Sequence, residues 1–247
     1  MKFVESADSA IAAADYVKAI TSLQKALRSE PANPNNLLLL SNLGMLNYYI
    51  GNDSVALATL NIAHDLAPSS VTVLLNRAKV NNGIGNFAEA LLDYTEVTQL
   101  DSTLVDPWIQ KGMLQLKGGD VRGAEAAIAR ATAIEPDSKE TILANALLYS
   151  KTNRPKEAIP LFNKLIKNDP QSEYYAERGM CYLRLDDLAA ASEDIAKGLE
   201  LDASNPDLYI TRALLNRRRF RENDAKADAA HALKLGASQA LLKAMGF

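Results

Sequence analysis

Apolar and small residues recur along residues 106–136 with the period of two helices joined by a turn. The first segment begins at Asp106-Pro107, where the aspartate can cap free backbone N–H groups and proline fits the first helical turn. Gly118-Gly119 ends it, because glycine takes positive φ without strain. The positions that share a face are Trp108, Gly112 and Gln115, then Ala124, Ile128 and Ala131. The stretch therefore predicts a helical hairpin that ends at Pro136 and repeats every 34 residues.

Seven copies of this hairpin follow one another, with offsets of 37, 34, 34, 34, 33 and 34 residues. One column is alanine in every copy: Ala19, Ala56, Ala90, Ala124, Ala158, Ala191 and Ala225. A second column is always small: Ala7, Gly44, Ala78, Gly112, Ala146, Gly179 and Ala213. The Trp108 column is always large and apolar. Small residues are needed where two helix backbones approach closely, so these columns predict seven hairpins packed in the same way.

The period of 34 residues, with Trp, Gly, Ala, Ala and Pro at these places, resembles the tetratricopeptide repeat family over essentially the whole chain. The resemblance implies an all-α fold, a right-handed superhelical solenoid of seven helix-turn-helix hairpins with a short C-terminal capping helix. A single solenoid is expected over 1–247, with repeats at 1–33, 35–69, 70–103, 106–137, 138–171, 172–204 and 206–237. The capping helix is expected at 238–246, where Leu241, Leu242 and Met245 would cover the last apolar face.

Charge and composition narrow the class of protein. Residues 1–123 carry 9 basic and 12 acidic groups, a net charge of −3, and residues 124–247 carry 18 of each. This acidic balance disfavours a nucleic-acid binder. Residues 37–50 are too short and too interrupted by polar side chains to span a bilayer, and residues 1–5 lack the apolar core of a signal peptide. A soluble, cytoplasmic protein is the default expectation, and a secreted or periplasmic location stays open if a signal peptide was removed.

Catalytic and metal-binding patterns are absent from the sequence. His64 and His231 lie in distant repeats without ligand spacing. The single cysteine, Cys181, forms no internal disulfide and reads as a small buried residue. Gly83-Ile84-Gly85 lacks the preceding strand and the following lysine of a phosphate loop. The sequence predicts no enzyme, no cofactor and no metal.

A second stripe on the first helices does not face the hairpin partner. By the family resemblance, this stripe lines the concave groove in which such arrays hold extended peptides or partner helices. The candidate groove residues are Asn42, Met45, Tyr48, Leu75, Asn76, Ile109, Met113, Leu116, Leu143, Leu147, Met180 and Leu183. Methionine adapts to varied apolar ligands, and the asparagines would hydrogen-bond a ligand backbone. The alternative, that these side chains pack between successive first helices, stays open.

A basic cluster marks the seventh copy, with only Glu222 and Asp224 close by in sequence. Its members are Arg212, Arg217, Arg218, Arg219 and Arg221. The cluster favours a solvated basic face, and its alternative is a patch for an anionic partner.

These patterns predict a protein–protein interaction scaffold that binds a peptide segment or helix of another protein, without nucleic acid or membrane insertion. One alternative is a structural unit that assembles with copies of itself into a homo-oligomer. Another is the recognition arm of a larger complex or enzyme.

Overall fold

The computed structural model describes residues 2–247, and this part of the chain contains helices and no strands. The helices are α1 Lys2–Ala12, α2 Tyr16–Ser29, α3 Asn36–Tyr49, α4 Asp53–Leu66, α5 Val71–Ile84, α6 Phe87–Leu100, α7 Val105–Lys117, α8 Val121–Ile134, α9 Lys139–Lys151, α10 Pro155–Asn168, α11 Ser172–Arg184, α12 Leu188–Leu201, α13 Pro206–Arg218, α14 Glu222–Lys234 and α15 Gln239–Ala244. They confirm the prediction of an all-α fold with seven hairpins and a short C-terminal helix. None of these helices combines the length and apolar character needed to cross a membrane.

The chain divides into two compact units, which we call unit 1 (up to Gly123) and unit 2 (Ala124–Phe247). In unit 1, each first helix packs on the second helix that follows it, in the pairs α1–α2, α3–α4 and α5–α6. In unit 2 the corresponding pairs are α9–α10, α11–α12 and α13–α14. Successive first helices also pack on each other, α3 on α5 in unit 1, and α11 on both α9 and α13 in unit 2. The single array over the whole chain stays a prediction.

The alanine column lies at the centre of the packing. Its members, Ala19, Ala56, Ala90, Ala124, Ala158, Ala191 and Ala225, are each 0% exposed. The small column of the first helices is buried throughout as well. In the second hairpin, a Cβ added to Gly44 would lie 2.6 Å from Leu60 Cγ, closer than two carbon atoms can approach. The small residues predicted from the sequence therefore stand where a larger side chain would separate the helices.

Every hairpin turn contains one residue in the left-handed backbone region. Three of these residues are glycines, Gly51, Gly85 and Gly119, with φ of 79°, 91° and 84°. The other four are not glycine: Ala14 (φ 56°), Asn153 (φ 58°), Asp186 (φ 61°) and Phe220 (φ 59°). A common turn geometry is thus imposed on all seven hairpins, and residues with a Cβ adopt it at a cost.

The start of α7 differs from the sequence prediction. The helix begins at Val105, and Leu104 occupies the N-cap position without a side-chain cap hydrogen bond. Asp106 therefore lies inside the first turn, where its Oδ1 accepts a hydrogen bond of 3.1 Å from Gln110 Nε2. At the C-terminal helix α15 the N-cap residue is Ser238, whose side chain accepts a hydrogen bond from Leu241 N. Leu242 is the buried residue of α15, and Leu241 is 42% exposed.

Candidate functional site

The second stripe of α3 in unit 1 packs against the next first helix. Met45 is 8% exposed and lies in one apolar cluster with Leu60 and Val80, and Tyr48 packs against the same cluster. The Tyr48 hydroxyl lies so close to α5 that a Cβ on Gly83 would be 2.0 Å from it. These two candidates therefore fill the space between α3 and α5, as the packing alternative expects.

The two candidate asparagines of unit 1 have different environments. Asn76 Nδ2 donates a hydrogen bond of 2.8 Å to Ser41 Oγ on the preceding first helix. Its amide is thus engaged within the protein. Asn42 is exposed and forms no hydrogen bond through its side chain with residues 2–247. Only Asn42 of this pair presents a free amide to a ligand.

The remaining candidates of unit 1 are buried to different degrees. Ile109 is 7% exposed. Leu75 is partly buried and packs on the cluster of Ala78, Tyr94 and Leu114. Met113 and Leu116 are partly buried. The stripe in unit 1 is therefore largely a packing surface between helices.

Unit 2 has a cavity of about 330 Å³ on the first-helix side, between α11 and α13. Its lining residues are Met180, Leu183, Arg184, Leu214, Arg217 and Arg218. Leu183 is 4% exposed and forms the apolar wall. Met180 and Leu214 are partly buried beside it. The cavity thus joins the predicted groove residues Met180 and Leu183 to two members of the predicted arginine cluster. The other two candidates of unit 2, Leu143 and Leu147, pack on the cluster that contains Ile142 and Phe162.

The guanidinium groups around this cavity are held by different partners. Arg184 Nη1 donates to the Ser150 carbonyl oxygen, and Arg184 forms no ion pair with residues 2–247. Arg218 Nη1 donates to Asp186 Oδ1 over 3.1 Å, and both side chains are more than half exposed. Burial raises the pKa of the neighbouring Cys181 thiol, so this cysteine stays protonated at neutral pH. Arg184 therefore leaves a positive charge at the rim of the cavity that no carboxylate among residues 2–247 pairs with.

Arg217 attaches the C-terminal helix to α13. Its Nη1 donates to the Met245 carbonyl oxygen over 2.6 Å, and its Nη2 donates to the Gly246 carbonyl oxygen over 3.0 Å. The guanidinium also lies 3.7 Å from the centre of the Phe247 ring. This arginine bridges the cavity and the C-terminal segment.

The other members of the predicted arginine cluster have different environments, and the anionic-partner patch stays a prediction. Arg212 is bound by Asp228, with its Nε and Nη2 atoms 3.0 and 2.6 Å from Asp228 Oδ1. Arg219 Nη2 donates to the Leu188 carbonyl oxygen over 3.1 Å. Arg221 is exposed. Arg212 and Arg218 pair with residues 16 and 32 positions away in sequence, Asp228 and Asp186, and not with the two carboxylates that the sequence suggested.

Sequence reasoning did not assign Leu214 and Arg184 to a site. Leu214 occupies the column of Met113 and Met180, so its position on the stripe could be predicted from the sequence. What the sequence did not show was the gap between α11 and α13 that these side chains surround. Across residues 2–247, no group of three or more His, Cys, Asp or Glu side chains is arranged to hold a metal ion.

Sequence comparisons with known proteins identify tetratricopeptide repeats in this chain. Tetratricopeptide repeat models match residues 115–178 and 172–205. Sperm-associated antigen 1 of Homo sapiens is 26% identical over 242 residues, which are 83% of this chain and 26% of that protein. Tetratricopeptide repeat protein 4 of Bos taurus is 30% identical over 90 residues, which are 36% of this chain and 23% of that protein. The matches thus span about a quarter of the length of these curated relatives.

Among solved structures, a tetratricopeptide repeat protein from Parabacteroides merdae superimposes with a TM-score of 0.83. It is 26% identical, and the match covers 98% of this chain and 95% of that one. The repeat columns, the helical hairpins and these matches agree: the chain contains tetratricopeptide repeats and has the fold of a tetratricopeptide repeat protein.

Proposed function

We propose that this chain is an interaction scaffold that holds a peptide segment of a partner protein in the cavity between α11 and α13. Proteins of the tetratricopeptide repeat family are generally protein-interaction scaffolds, and their fold is typically non-catalytic. The proposal rests on one observation: three apolar side chains and an arginine line the same cavity. They are Met180, Leu183, Leu214 and Arg184. An apolar wall with a charged rim suits a partner that combines both characters.

The chemistry of the cavity defines the kind of segment that fits. A volume of about 330 Å³ is at the lower end of the range for ligand pockets, enough for one or two apolar side chains. Arg184 at the rim has no carboxylate partner among residues 2–247, so an acidic residue of the ligand would supply one. Methionine accommodates different shapes because its side chain is unbranched. The ligand is therefore an acidic segment with a leucine or phenylalanine as its anchor.

Fluorescence polarisation with a labelled acidic peptide, GDELFEDG, tests this proposal on the full chain. We expect a Kd on the order of micromolar. Met180→Glu and Arg184→Glu should each remove most of the binding, because one adds a charge to the apolar wall and the other repels the ligand carboxylates. The peptide GKKLFKKG, with the opposite charge, should not bind.

Lys79→Glu is the matched control. Lys79 occupies the same repeat column as Met180, lies exposed on α5 and is outside the cavity. It should leave the affinity unchanged. Loss of binding in this variant equal to that in Met180→Glu, or no binding by the wild type, would contradict the proposal. Thermal melts followed by circular dichroism establish that each variant is folded.

A further inference from the structure

Unit 1 has a larger cavity on the opposite, second-helix side of its hairpins, which we call the α4–α6 groove. Its volume is about 810 Å³. The side chains that face it include Leu57, Asn61 and His64 on α4 and Glu89, Leu92 and Glu96 on α6. None of these residues belongs to the stripe on the first helices. The groove also shares no lining residue with the cavity between α11 and α13.

Two acidic side chains that line this groove have no ion-pair partner among residues 2–247. Its arginine, Arg77, is bound by Asp93 through hydrogen bonds of 2.9 and 2.6 Å, and its Nη1 donates to Asn61 Oδ1 over 3.3 Å. Glu89 and Glu96 form no ion pair with any of residues 2–247. The groove therefore presents two carboxylates that lack a cation, in the half of the chain with a net charge of −3 (9 basic and 12 acidic groups).

No other hairpin carries an acidic residue at both of the positions that correspond to Glu89 and Glu96. The column of Glu96 contains Lys164 in α10 and Lys197 in α12. Lys164 pairs with Asp137 over 2.7 Å. The acidic pair in the α4–α6 groove is thus a property of this groove and is not required by the hairpin.

An asparagine that lines the groove keeps a side-chain donor that no atom of residues 2–247 uses. Asn81 lines the groove, is 5% exposed, and its Oδ1 accepts from Asn86 Nδ2 over 3.2 Å. Its Nδ2 makes no hydrogen bond with residues 2–247. Asn47, in the same column of the preceding repeat, donates through Nδ2 to the Leu43 carbonyl oxygen over 2.8 Å. The Asn81 amide is therefore free to donate to a carbonyl oxygen of a ligand backbone.

The spacing of the carboxylates indicates the conformation of the ligand. Glu89 and Glu96 lie seven residues apart on α6, which is about 10.5 Å along the helix axis. In a polyproline II segment, residues i and i+3 lie on the same edge and about 9.3 Å apart. This spacing is close to that of the two carboxylates, so two cations three residues apart in such a segment can each reach one of them. Leu92 lies between the two carboxylates and is 71% exposed, so it offers an apolar contact to the residues between the two cations.

We propose that the α4–α6 groove binds a basic segment of a partner protein in the polyproline II conformation, with Lys or Arg side chains three residues apart. The two cations pair with Glu89 and Glu96, and Leu57 and Leu92 contact the proline and apolar residues between them. The Asn81 amide donates to the backbone of the segment. This surface acts independently of the cavity proposed above for an acidic ligand.

The test uses the full chain and a fluorescein-labelled peptide, GKPLKPLKG, in which the lysines recur every three residues. We expect saturable binding that weakens as salt is added. Glu89→Gln with Glu96→Gln should weaken it at least about tenfold, because the substitution removes both charges and keeps the side-chain shape. Leu92→Ala, a change at an exposed position, should weaken it about threefold. The peptide GEPLEPLEG should not bind.

Two control variants separate this site from general charge and from the other cavity. Glu157→Gln alters the unit 2 residue in the column of Glu89 and should leave the affinity unchanged. Met180→Glu should also leave it unchanged. The proposal is overturned if GKPLKPLKG does not bind, if the double variant binds it as tightly as the wild type, or if Glu157→Gln weakens binding as much as the double variant does.

Discussion

Arg178 and Asp194 are joined across the sixth hairpin by two hydrogen bonds, 2.9 Å from Nε to Oδ2 and 2.6 Å from Nη2 to Oδ1. Their side chains are 14% and 4% exposed. The same sixteen-residue separation joins Arg77 to Asp93 and Arg212 to Asp228. In the first hairpin the corresponding residues are Ser6 and Ser22, whose hydroxyls lie 3.2 Å apart. A polar link between first and second helix therefore recurs at one place in the repeat.

Removing one partner of this link should destabilise unit 2 strongly. Asp194→Ala leaves a buried guanidinium without its carboxylate and is expected to cost roughly 3–5 kcal/mol of unfolding free energy. Replacing both partners, Arg178→Met with Asp194→Leu, should cost much less, because no buried charge is then unpaired. Urea unfolding followed by circular dichroism measures both. If the double variant is as unstable as the single one, the desolvation argument for this pair fails.

The turn of the seventh hairpin is the second place where a substitution should change stability. Phe220 has φ of 59° and is 96% exposed, so its side chain gains no packing to offset the left-handed backbone. Phe220→Gly should stabilise the protein by about 0.5–1 kcal/mol, the relief of strain minus the greater entropy of glycine in the unfolded chain. The expected result is a higher denaturant midpoint with an unchanged slope.

Gly119→Ala provides the opposite change at the equivalent turn of the fourth repeat. Gly119 has φ of 84°, and an added Cβ would meet no atom within 4 Å, so any loss of stability comes from the backbone alone. We expect a loss of about 1 kcal/mol. A stabilising Gly119→Ala, or a destabilising Phe220→Gly, would show that the backbone conformation does not control these turns.

The hairpins were predictable from the sequence because one physical requirement recurs seven times. Ala56 and Ala158 face close helix contacts of the same kind, and each is 0% exposed. The stripe on the first helices was less predictable, since helical spacing defines a face but not what covers it. Ile109 is covered, at 7% exposure, whereas Met180 borders a cavity.

The arginine cluster shows a second limit of sequence reasoning. Asp228 lies sixteen residues from Arg212, beyond the spacing at which residues of one helix face each other. The pairing depends on how two helices cross, which no periodicity within one helix reveals. The α4–α6 groove was missed for a related reason: the contrast between Glu96 and Lys197 is visible in the columns, but the space that Glu96 faces is not.

Tyr94 should make the stability of unit 1 depend on pH in the alkaline range. Burial raises the pKa of Tyr94 to about 12, and the carboxylates of Asp106 and Asp93 act in the same direction. The phenol of an unfolded chain titrates near pH 10, so the unfolded state loses its proton first. The contribution of Tyr94 is fully present below about pH 10 and is lost as the pH rises to about 12, a total of roughly 2–3 kcal/mol.

Tyr94→Phe isolates this contribution. The difference in unfolding free energy between wild type and variant should change by that amount from pH 10 to pH 12, while other titrating groups cancel. Urea midpoints at several pH values, with tyrosinate absorbance as a second measurement, test it. A difference that stays constant over this range would show that Tyr94 ionises equally in the folded and unfolded states.

The alanine column has a consequence for the loops between hairpins. Ala19 and Ala56 are separated by 37 residues where most neighbouring copies are separated by 34, yet both are fully buried. The extra residues lie in the loop between α2 and α3, which begins after Ser29 and ends before Asn36. The two helices of a hairpin pack most closely on each other. The loop between two hairpins therefore does not set the register of the helices within a hairpin. Loops of this kind are therefore the positions at which the chain can accept an insertion, such as a tag or an additional binding segment, at the modest entropic cost of a longer surface loop.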